Sequence, residues 1–500
     1  MKKILYIALM ASNLLFTTAC VDLNQEPQSF ITEEEYLAKL DIDGLRKAAT
    51  GLYNDLWQSN YGFNCRMQII NIGGDEITYA TTKANNRYAY FADLNPSADA
   101  NKDDVSIPWN LFFAVVNNSN KLINNVVIPE GTTDALKKKQ KEYQEVLGEA
   151  YFMRGLAYFY LVRMFGDVPL ILNGTDAETR MPRTSVAEIY EKAIVPSLTK
   201  ATEWLPEKSR SGFSSTPSKW AAKACLADVY MTMAGWPLKK GTEYYAKAAQ
   251  ETNDIIEKSG LKLTPKYEDL WKEAKKEDAN EHLFALHHSA KQKTASNYGK
   301  SYYPNDFYPK AGWADYYGVE AFYLKYPAGE RKDWNYMTEW PIAKDVVVNY
   351  KDSREKNPAI SKYYDYDEGV PGNSAQANGI TCIYRYADVL LMYAEASTRA
   401  TNSVNALAAK CLKDVQERAK SAVITNTTDP TTFEKAVFDE NGWEFFAEMR
   451  RWFDLVRLEK VSEVRSTAWT NSIYKANNHY YLPIAEEQIR LTGWTNNAGY

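Results

Sequence analysis

A mostly α-helical chain of divergent helical repeats, interrupted by one long irregular insertion, is predicted from three stretches of the sequence. The first is Gly148 to Ile171, GEAYFMRGLAYFYLVRMFGDVPLI. There Ala150, Met153, Ala157, Leu161 and Met164 recur at steps of three and four, and Tyr151, Phe152, Leu156, Tyr158, Phe159 and Tyr160 fill most of the remaining circumference. A helix that apolar all round must be covered by other helices. The second observation is a pair of Ala-rich helical patterns at 217–259 and 384–420, whose small residues let paired helices approach closely. The third is a break in that rhythm from about 262 to 380, where HLFALHHSA alternates like a strand and NYGKSYYPNDFYPKAGWADYYG is dense in Gly, Pro and Tyr.

The elements follow in order. Lys2 and Lys3 precede an apolar run from Ile4 to Phe16, broken only by Ser12 and Asn13. The run is too short to span a bilayer and suits a secretory signal. Thr17-Thr18-Ala19-Cys20 resembles a bacterial lipobox, with Thr17 where Leu is usual. It predicts a signal peptide over 1–19 and acyl chains on Cys20, which anchor the mature chain 20–500 without spanning the membrane. Val21 to Pro27 is then a polar tether.

The pattern is helical over 32–57, where Glu33 to Glu35 complement the positive end of a helix. A second helix is expected over 109–128 with Pro108 just before it. Between them, 62–107 is rich in polar residues and Tyr without helical period. A long irregular stretch in a compact protein is functional or disordered, and the aromatics favour function. The break at Gly166 and Pro169 ends the central helix. Further helices are expected at 184–204, 217–235, 241–259, 384–400 and 402–420. In the last pair Ala396 and Ala408 fall twelve apart, followed by Leu412 and Val415, as in a tetratricopeptide unit. Ala227, Tyr230 and Ala248 follow a similar logic.

Composition narrows the function. The chain has 500 residues, 45% hydrophobic and 25% charged, with 36 Tyr and 13 Trp. Amphipathic rings in that number suit a surface that recognises flat or sugar-like ligands. The net charge of −5 becomes −7 once Lys2 and Lys3 are removed with the signal peptide, and there are no basic runs. Nucleic acid is therefore not an expected partner. Cys65, Cys225, Cys382 and Cys411 form no CxxC pair, and Cys225 and Cys411 read as small buried side chains. No nucleophile elbow, phosphate loop or HExxH motif is present. His287 and His288 alternate to opposite strand faces, which argues against a shared metal. No cofactor is expected. Calcium alone stays open, through Asp93-x-Asn95-x-Ser97-x-Asp99 and Asp365-x-Asp367, although Ala98 stands where a calcium loop has its turn Gly.

Several motifs carry a family resemblance. They are the aromatic central helix running into FGDVPLI, Trp109-Asn110-Leu111-Phe112-Phe113, and the run from Tyr384 to Ala396 (YRYADVLLMYAEA). To these add the run from Glu444 to Arg457 (EFFAEMRRWFDLVR), Tyr481 to Ile489 (YLPIAEEQI) and the terminal Asn497-Ala498-Gly499-Tyr500. In this order, and with the lipobox, they resemble the SusD/RagB family of Bacteroidetes surface nutrient-binding lipoproteins. Ala485 and Ala498 replace prolines usual in the last two motifs. Length alone would suggest about three domains, whereas the resemblance implies one SusD-like domain over 20–500. It also implies a lipid-anchored protein on the outer membrane surface, without enzymatic activity, that binds oligosaccharides and caps a TonB-dependent barrel transporter of the SusC type. The alternatives are a peptide-binding member of the same family, a surface glycoside hydrolase and a bare helical-repeat adaptor.

The charged motif residues Arg385, Asp388, Glu395, Glu444, Glu448, Arg450, Arg451, Asp454 and Arg457 sit among Trp and Phe and read as paired structural charges. A hydrolase would use Glu444 and Glu448, one helical turn apart, as its acid and base. Neighbouring arginines would hold both ionised and leave no proton donor. The resemblance implies ligand residues from non-helical regions. A sugar presents an apolar face and a rim of hydroxyls, so aromatic platforms beside hydrogen-bonding groups suit it. Two stretches supply both: Asp75, Arg87, Tyr88 and Tyr90, then Tyr302, Tyr303, Trp313, Asp315, Tyr316 and Trp334.

Overall fold

The computed structural model describes residues 31–57, 63, 66–81, 86–173, 181–278, 280–365 and 375–500. The signal peptide, Cys20, Cys65 and Asp367 lie outside the described residues.

The helix Asp134–Phe165 is the axis of the molecule. Its second half is buried on all sides, from Phe152 to Tyr160 and on to Phe165. Helices Ile42–Trp57, Lys102–Asn125 and Val195–Trp204 pack around it. Gly166 ends it in a positive-φ conformation (φ 75°), its N–H bonded to the Val162 carbonyl at 3.1 Å. A Cβ there would also lie 2.8 Å from the Tyr481 ring. The helix begins fourteen residues earlier than the apolar stretch indicates, at a Thr133 cap that accepts from the Leu136 N–H. Its first fourteen residues carry Lys137 to Lys139 and bury only Tyr143, Val146 and Leu147, so no all-round apolar signal marks them.

From this axis the helices pack as an array. Val195–Trp204 packs on Lys219–Ala234, that helix on Thr242–Lys258, that one on Tyr386–Thr401, and the last on Ala406–Arg418. The helices before and after the insertion thus meet directly. This is the tetratricopeptide-like logic: each helix buries one face on its neighbour and offers the other to the next.

Several expected boundaries change. The run expected over 32–57 is two helices, Glu33–Ala38 and Ile42–Trp57. The helix expected at 109 starts at Lys102 and keeps Pro108 inside it. Asp103 and Asp104 in its first turn favour the earlier start, and Asp104 is fixed by Arg87 at 2.7 Å. The run from Glu444 to Arg457 is not one helix. Pro430–Glu444 ends there, and Arg451–Arg457 begins after a turn with Ala447 and Met449 at φ 60° and 63°. Such positive φ values cost a non-Gly residue about 1–2 kcal/mol. The turn is held by the Ala447 carbonyl, which accepts from Gln68 Nε2 (2.8 Å) and the Tyr363 hydroxyl (3.0 Å).

The insertion contains short antiparallel pairs. Ile77–Tyr79 pairs with Tyr316–Gly318, which ties the early loop to the insertion across more than two hundred residues. His282–His287 pairs with Ile380–Arg385, bringing the insertion's two ends together. Cys225, Cys382 and Cys411 are free and buried.

Candidate functional site

Two regions gather the polar and aromatic residues that could act. The first is a buried hub at the base of the insertion. Arg385 donates through Nη1 to Glu281 (3.0 Å) and to Glu444, and through Nε and Nη2 to Glu448 (3.1 and 2.9 Å). Arg418 reaches Glu281 at 2.7 Å and also Glu444, while Arg331 bridges Glu440 and Glu444. Lys362 donates to Glu448 and to the carbonyls of Phe446 (2.8 Å) and Glu444 (3.2 Å). Four cations face four carboxylates, with side chains no more than 4% exposed. Burial pushes the Glu444 carboxyl up, but Arg418, Arg385 and Arg331 together hold it well below the usual carboxylate range. Glu444 and Glu448 lie across a chain reversal rather than one helical turn apart, and both side chains are buried among their cation partners. The hub is scaffold.

Glu395 is similar. Despite burial, Arg457 (2.6 Å to each carboxylate oxygen) and Arg399 (3.0 Å) pull its pKa down to about 2.

The second region lies where Ile77–Tyr79 meets Tyr316–Gly318. Here the expected ligand residues divide, and most of them require correction. Tyr88, Tyr302, Tyr303, Asp315 and Tyr316 are brought together but are buried. The Tyr88 hydroxyl donates to Asp315 Oδ1 (3.0 Å) and receives Arg66 Nη1 (3.2 Å), while Ser301 Oγ donates to Asp315 Oδ2 (2.9 Å). Burial and the neighbouring Asp315 push the Tyr88 phenol well up. The Tyr302 and Tyr316 ring centres lie 5.8 Å apart in an edge-to-face arrangement. These side chains have no face left for a ligand and serve as the floor of the site. Arg87 is taken by Asp104, and Tyr90 is half-buried on the neighbouring helix Asn86–Ala92.

Asp75 and Trp334 depart from the group. Asp75 accepts a two-pronged bond from Arg451 (2.7 and 2.9 Å) in a different cleft of about 860 Å³, walled by Phe322, Phe438 and Trp443. Trp334 donates from Nε1 to the Lys362 carbonyl at 2.9 Å and lines a third cleft, of about 370 Å³, with Tyr267, Glu268, Glu330 and Asp333.

Trp313 differs from the buried group. It is half-buried, and its N–H donates to the Lys300 carbonyl while the Lys300 ammonium lies 5.2 Å from the ring centre. The segment 312–315 runs against 300–304, with Ala314 bonded to the Tyr303 carbonyl (3.0 Å) and Asp315 to that of Ser301 (2.7 Å). At Gly312 a Cβ would sit 2.2 Å from the Tyr303 carbonyl oxygen, so only Gly permits this approach. The Trp313 ring is therefore presented by a rigid backbone.

Three further residues, which carry no separate signal in the sequence, border the same buried floor. Tyr79 is half-exposed and stacked on Tyr88 at 6.0 Å. Ala80 then bonds the Asp315 carbonyl, and Thr81 is held by Glu355 through its N–H (2.6 Å) and hydroxyl (2.8 Å). Tyr364 meets Tyr303 edge-on at 5.0 Å. Half-exposed rings beside Lys300, Thr81 and Glu355 offer stacking faces and hydrogen-bonding groups together.

Three of the side-chain oxygens in the calcium expectation accept bonds from the backbone. Asn95 Oδ1 accepts from Ile473, Ser97 Oγ from Ala100, and Asp365 Oδ2 from Glu273. Among the described residues no group of three or more His, Cys, Asp or Glu is placed to hold a metal ion.

Comparison with known proteins agrees with this architecture. Residues 66–231 match a family described as "Starch-binding associating with outer membrane", and residues 226–500 match the SusD family. A SusD-like protein of Formosa agariphila is 26% identical, over 100% of this chain and 99% of its own. One from Bacteroides ovatus is 27% identical, over 90% of this chain and 82% of its own. The structure of a SusD superfamily protein from Parabacteroides distasonis superposes with a TM-score of 0.78 at 24% identity, covering 92% of this chain and 100% of that one. A surface glycan-binding protein of Bacteroides thetaiotaomicron, solved with laminarihexaose, superposes with a TM-score of 0.73 at 18% identity, covering 91% and 99%. The chain belongs to the SusD family.

Proposed function

We propose that this protein binds oligosaccharides at the cell surface, on the shelf formed by Trp313, Tyr79 and Tyr364, and passes them to a TonB-dependent outer-membrane transporter of the SusC type. The observation that carries the reading is the seat of Trp313: a ring left accessible on a backbone that Gly312 and the Ser301–Asp315–Tyr88 floor hold in place. A binding protein benefits from such preorganisation, since an ordered platform loses little entropy when a ligand docks. The laminarihexaose held by a protein of the same fold supports a glycan as ligand. The sealed hub supports binding without hydrolysis, since its carboxylates are committed to Arg and Lys.

Export and acylation of Cys20 belong to the same reading. Replacing Cys20 with Ala should release the protein from washed membranes in cells lacking the transporter; a variant still retained would contradict the anchor. The ligand is tested by calorimetric titration with laminarihexaose, xylogluco-oligosaccharides, malto-oligosaccharides and a peptide library. Saturable binding of at least one glycan, with its chain length unchanged after prolonged incubation, is expected. Binding confined to peptides would move the reading to a peptide-uptake protein, and steady release of shorter sugars would overturn it.

A further inference from the structure

Two lysines stand at the shelf, and both belong to the segments laced together beneath Trp313. Lys300 lies in the short helix Tyr298–Tyr302, its carbonyl accepting from the Trp313 N–H. Lys310 comes two residues before Gly312, whose N–H donates to the Pro304 carbonyl at 2.9 Å. Both residues are half-buried.

Each ammonium lies over one of the shelf's rings. Lys300 Nζ is 5.2 Å from the Trp313 ring centre, and Lys310 Nζ is 5.8 Å from that of Tyr364. The face of an aromatic ring attracts a cation but does not neutralise it. Among the described residues neither ammonium is ion-paired. Lys200, Lys247 and Lys460 also lie over rings, and each of these meets a carboxylate as well, at 2.6, 2.8 and 2.9 Å.

The carboxylates around the shelf are bonded elsewhere. Asp315 holds Ser301 and Tyr88 in the floor, Glu355 holds Thr81, and Asp306 Oδ1 accepts from Trp340 Nε1 at 3.0 Å. The floor also has cations of its own, with Arg66 on the Tyr88 hydroxyl and Arg87 on Asp104. A lysine ammonium is a point charge with three donors on a flexible stem, and its strong bonds go to anionic oxygens. A ring that keeps it near one position lowers the entropy lost when such an oxygen arrives. A neutral glycan would leave both charges without a counter-ion.

We propose that the glycan taken by the Trp313 shelf is acidic. Its carboxylate or sulfate groups bond Lys300 and Lys310 while its sugar rings contact Trp313 and Tyr364. The inference rests on the shelf as the glycan site and adds the charge of its ligand. With a net charge of −5 the whole chain repels a polyanion at long range, so the selection is made by these two groups at contact.

Calorimetric titration tests it with oligosaccharides paired by backbone: oligogalacturonate with its methyl ester, alginate with its carboxyl-reduced form, and sulfated galactan with its desulfated form. The first two pairs read a carboxylate and the third a sulfate. At least one acidic member should bind roughly tenfold or more tightly than its neutral counterpart. Lys300→Gln and Lys310→Gln should each shrink that difference, leave the neutral counterpart's affinity unchanged, and melt like the wild type. Binding that is equal within every pair, or confined to neutral glycans such as laminarihexaose, would overturn the inference and leave the shelf standing. An acidic preference untouched in the protein carrying both substitutions would overturn it too. No binding of any glycan, acidic or neutral, would instead sink the shelf reading and the acidic ligand with it.

Discussion

The hub around Arg385 and the shelf around Trp313 are both dense in charge and aromatics, yet one is closed and the other open. In the hub every cation meets a carboxylate, and Arg385 lies 4.6 Å from the Phe445 ring centre with no path to solvent. In the shelf the buried polar groups Asp315, Ser301 and Tyr88 bond to one another below a layer of rings that still reaches solvent. The difference lies in where the chain reverses. Tertiary bonds to Ala447 fold the motif after Glu444 back over the hub, whereas the Gly312 approach lifts Trp313 out of its segment. Richness in Tyr, Trp and charge therefore does not distinguish site from scaffold; mutual satisfaction does.

The comparison breaks most readily at the hub. Arg385→Met would leave Glu281, Glu444 and Glu448 buried with part of their partnership gone, and should cost about 3–5 kcal/mol. Urea denaturation measures this, and a loss below about 1 kcal/mol would mean that water reaches the hub after all. Gly312→Ala comes next. Its Cβ must displace the Tyr303 carbonyl, which should cost about 1–3 kcal/mol and also weaken glycan binding, because the same backbone seats Trp313. An unchanged melting temperature would show that the approach is soft.

A third effect depends on pH. Glu76 is buried behind the shelf strand, with Oε1 accepting from Ala447 (3.3 Å) and Oε2 unpaired. Burial raises its pKa from 4.5 to about 8, offset only in part by Arg451. A carboxyl with a raised folded pKa favours the folded state below its unfolded pKa and loses that advantage as pH rises to the folded one. Stability should therefore fall between pH 4.5 and about 8, by up to about 1.4 kcal/mol per pH unit. Glu76→Gln should flatten that slope, as denaturation at several pH values would show; an unaltered slope would place its origin elsewhere.

Much of the fold is legible in the sequence because period carries it. The central helix, its Gly166 stop and the Ala-spaced pairs each announce themselves over three or more turns. The polar half of the central helix does not, since it buries a single face. The reversal at Ala447 and Met449 is also hidden, being imposed by Gln68 and Tyr363 from distant parts of the chain. The site is less legible. Counting aromatics marks loops rich in rings, but burial within the fold divides them. Tyr316 and Asp315 are buried, while Trp313 and Tyr79 stay half-exposed. Asp75 reads like a sugar ligand until Arg451 is seen to take both of its oxygens.

The division between shelf and scaffold is tested most directly by titrating Trp313→Ala with the best-bound glycan and melting it beside Trp452→Ala. Trp452 is buried against Gly73 and lies 5.7 Å from the Tyr474 ring, so its truncation should cost about 3–5 kcal/mol of stability. Trp313→Ala should melt close to wild type and bind roughly tenfold or more weakly, the loss of about 1–2 kcal/mol of stacking. Unchanged affinity in Trp313→Ala, with a melting temperature lowered as far as in Trp452→Ala, would contradict the account and make Trp313 one more packing residue.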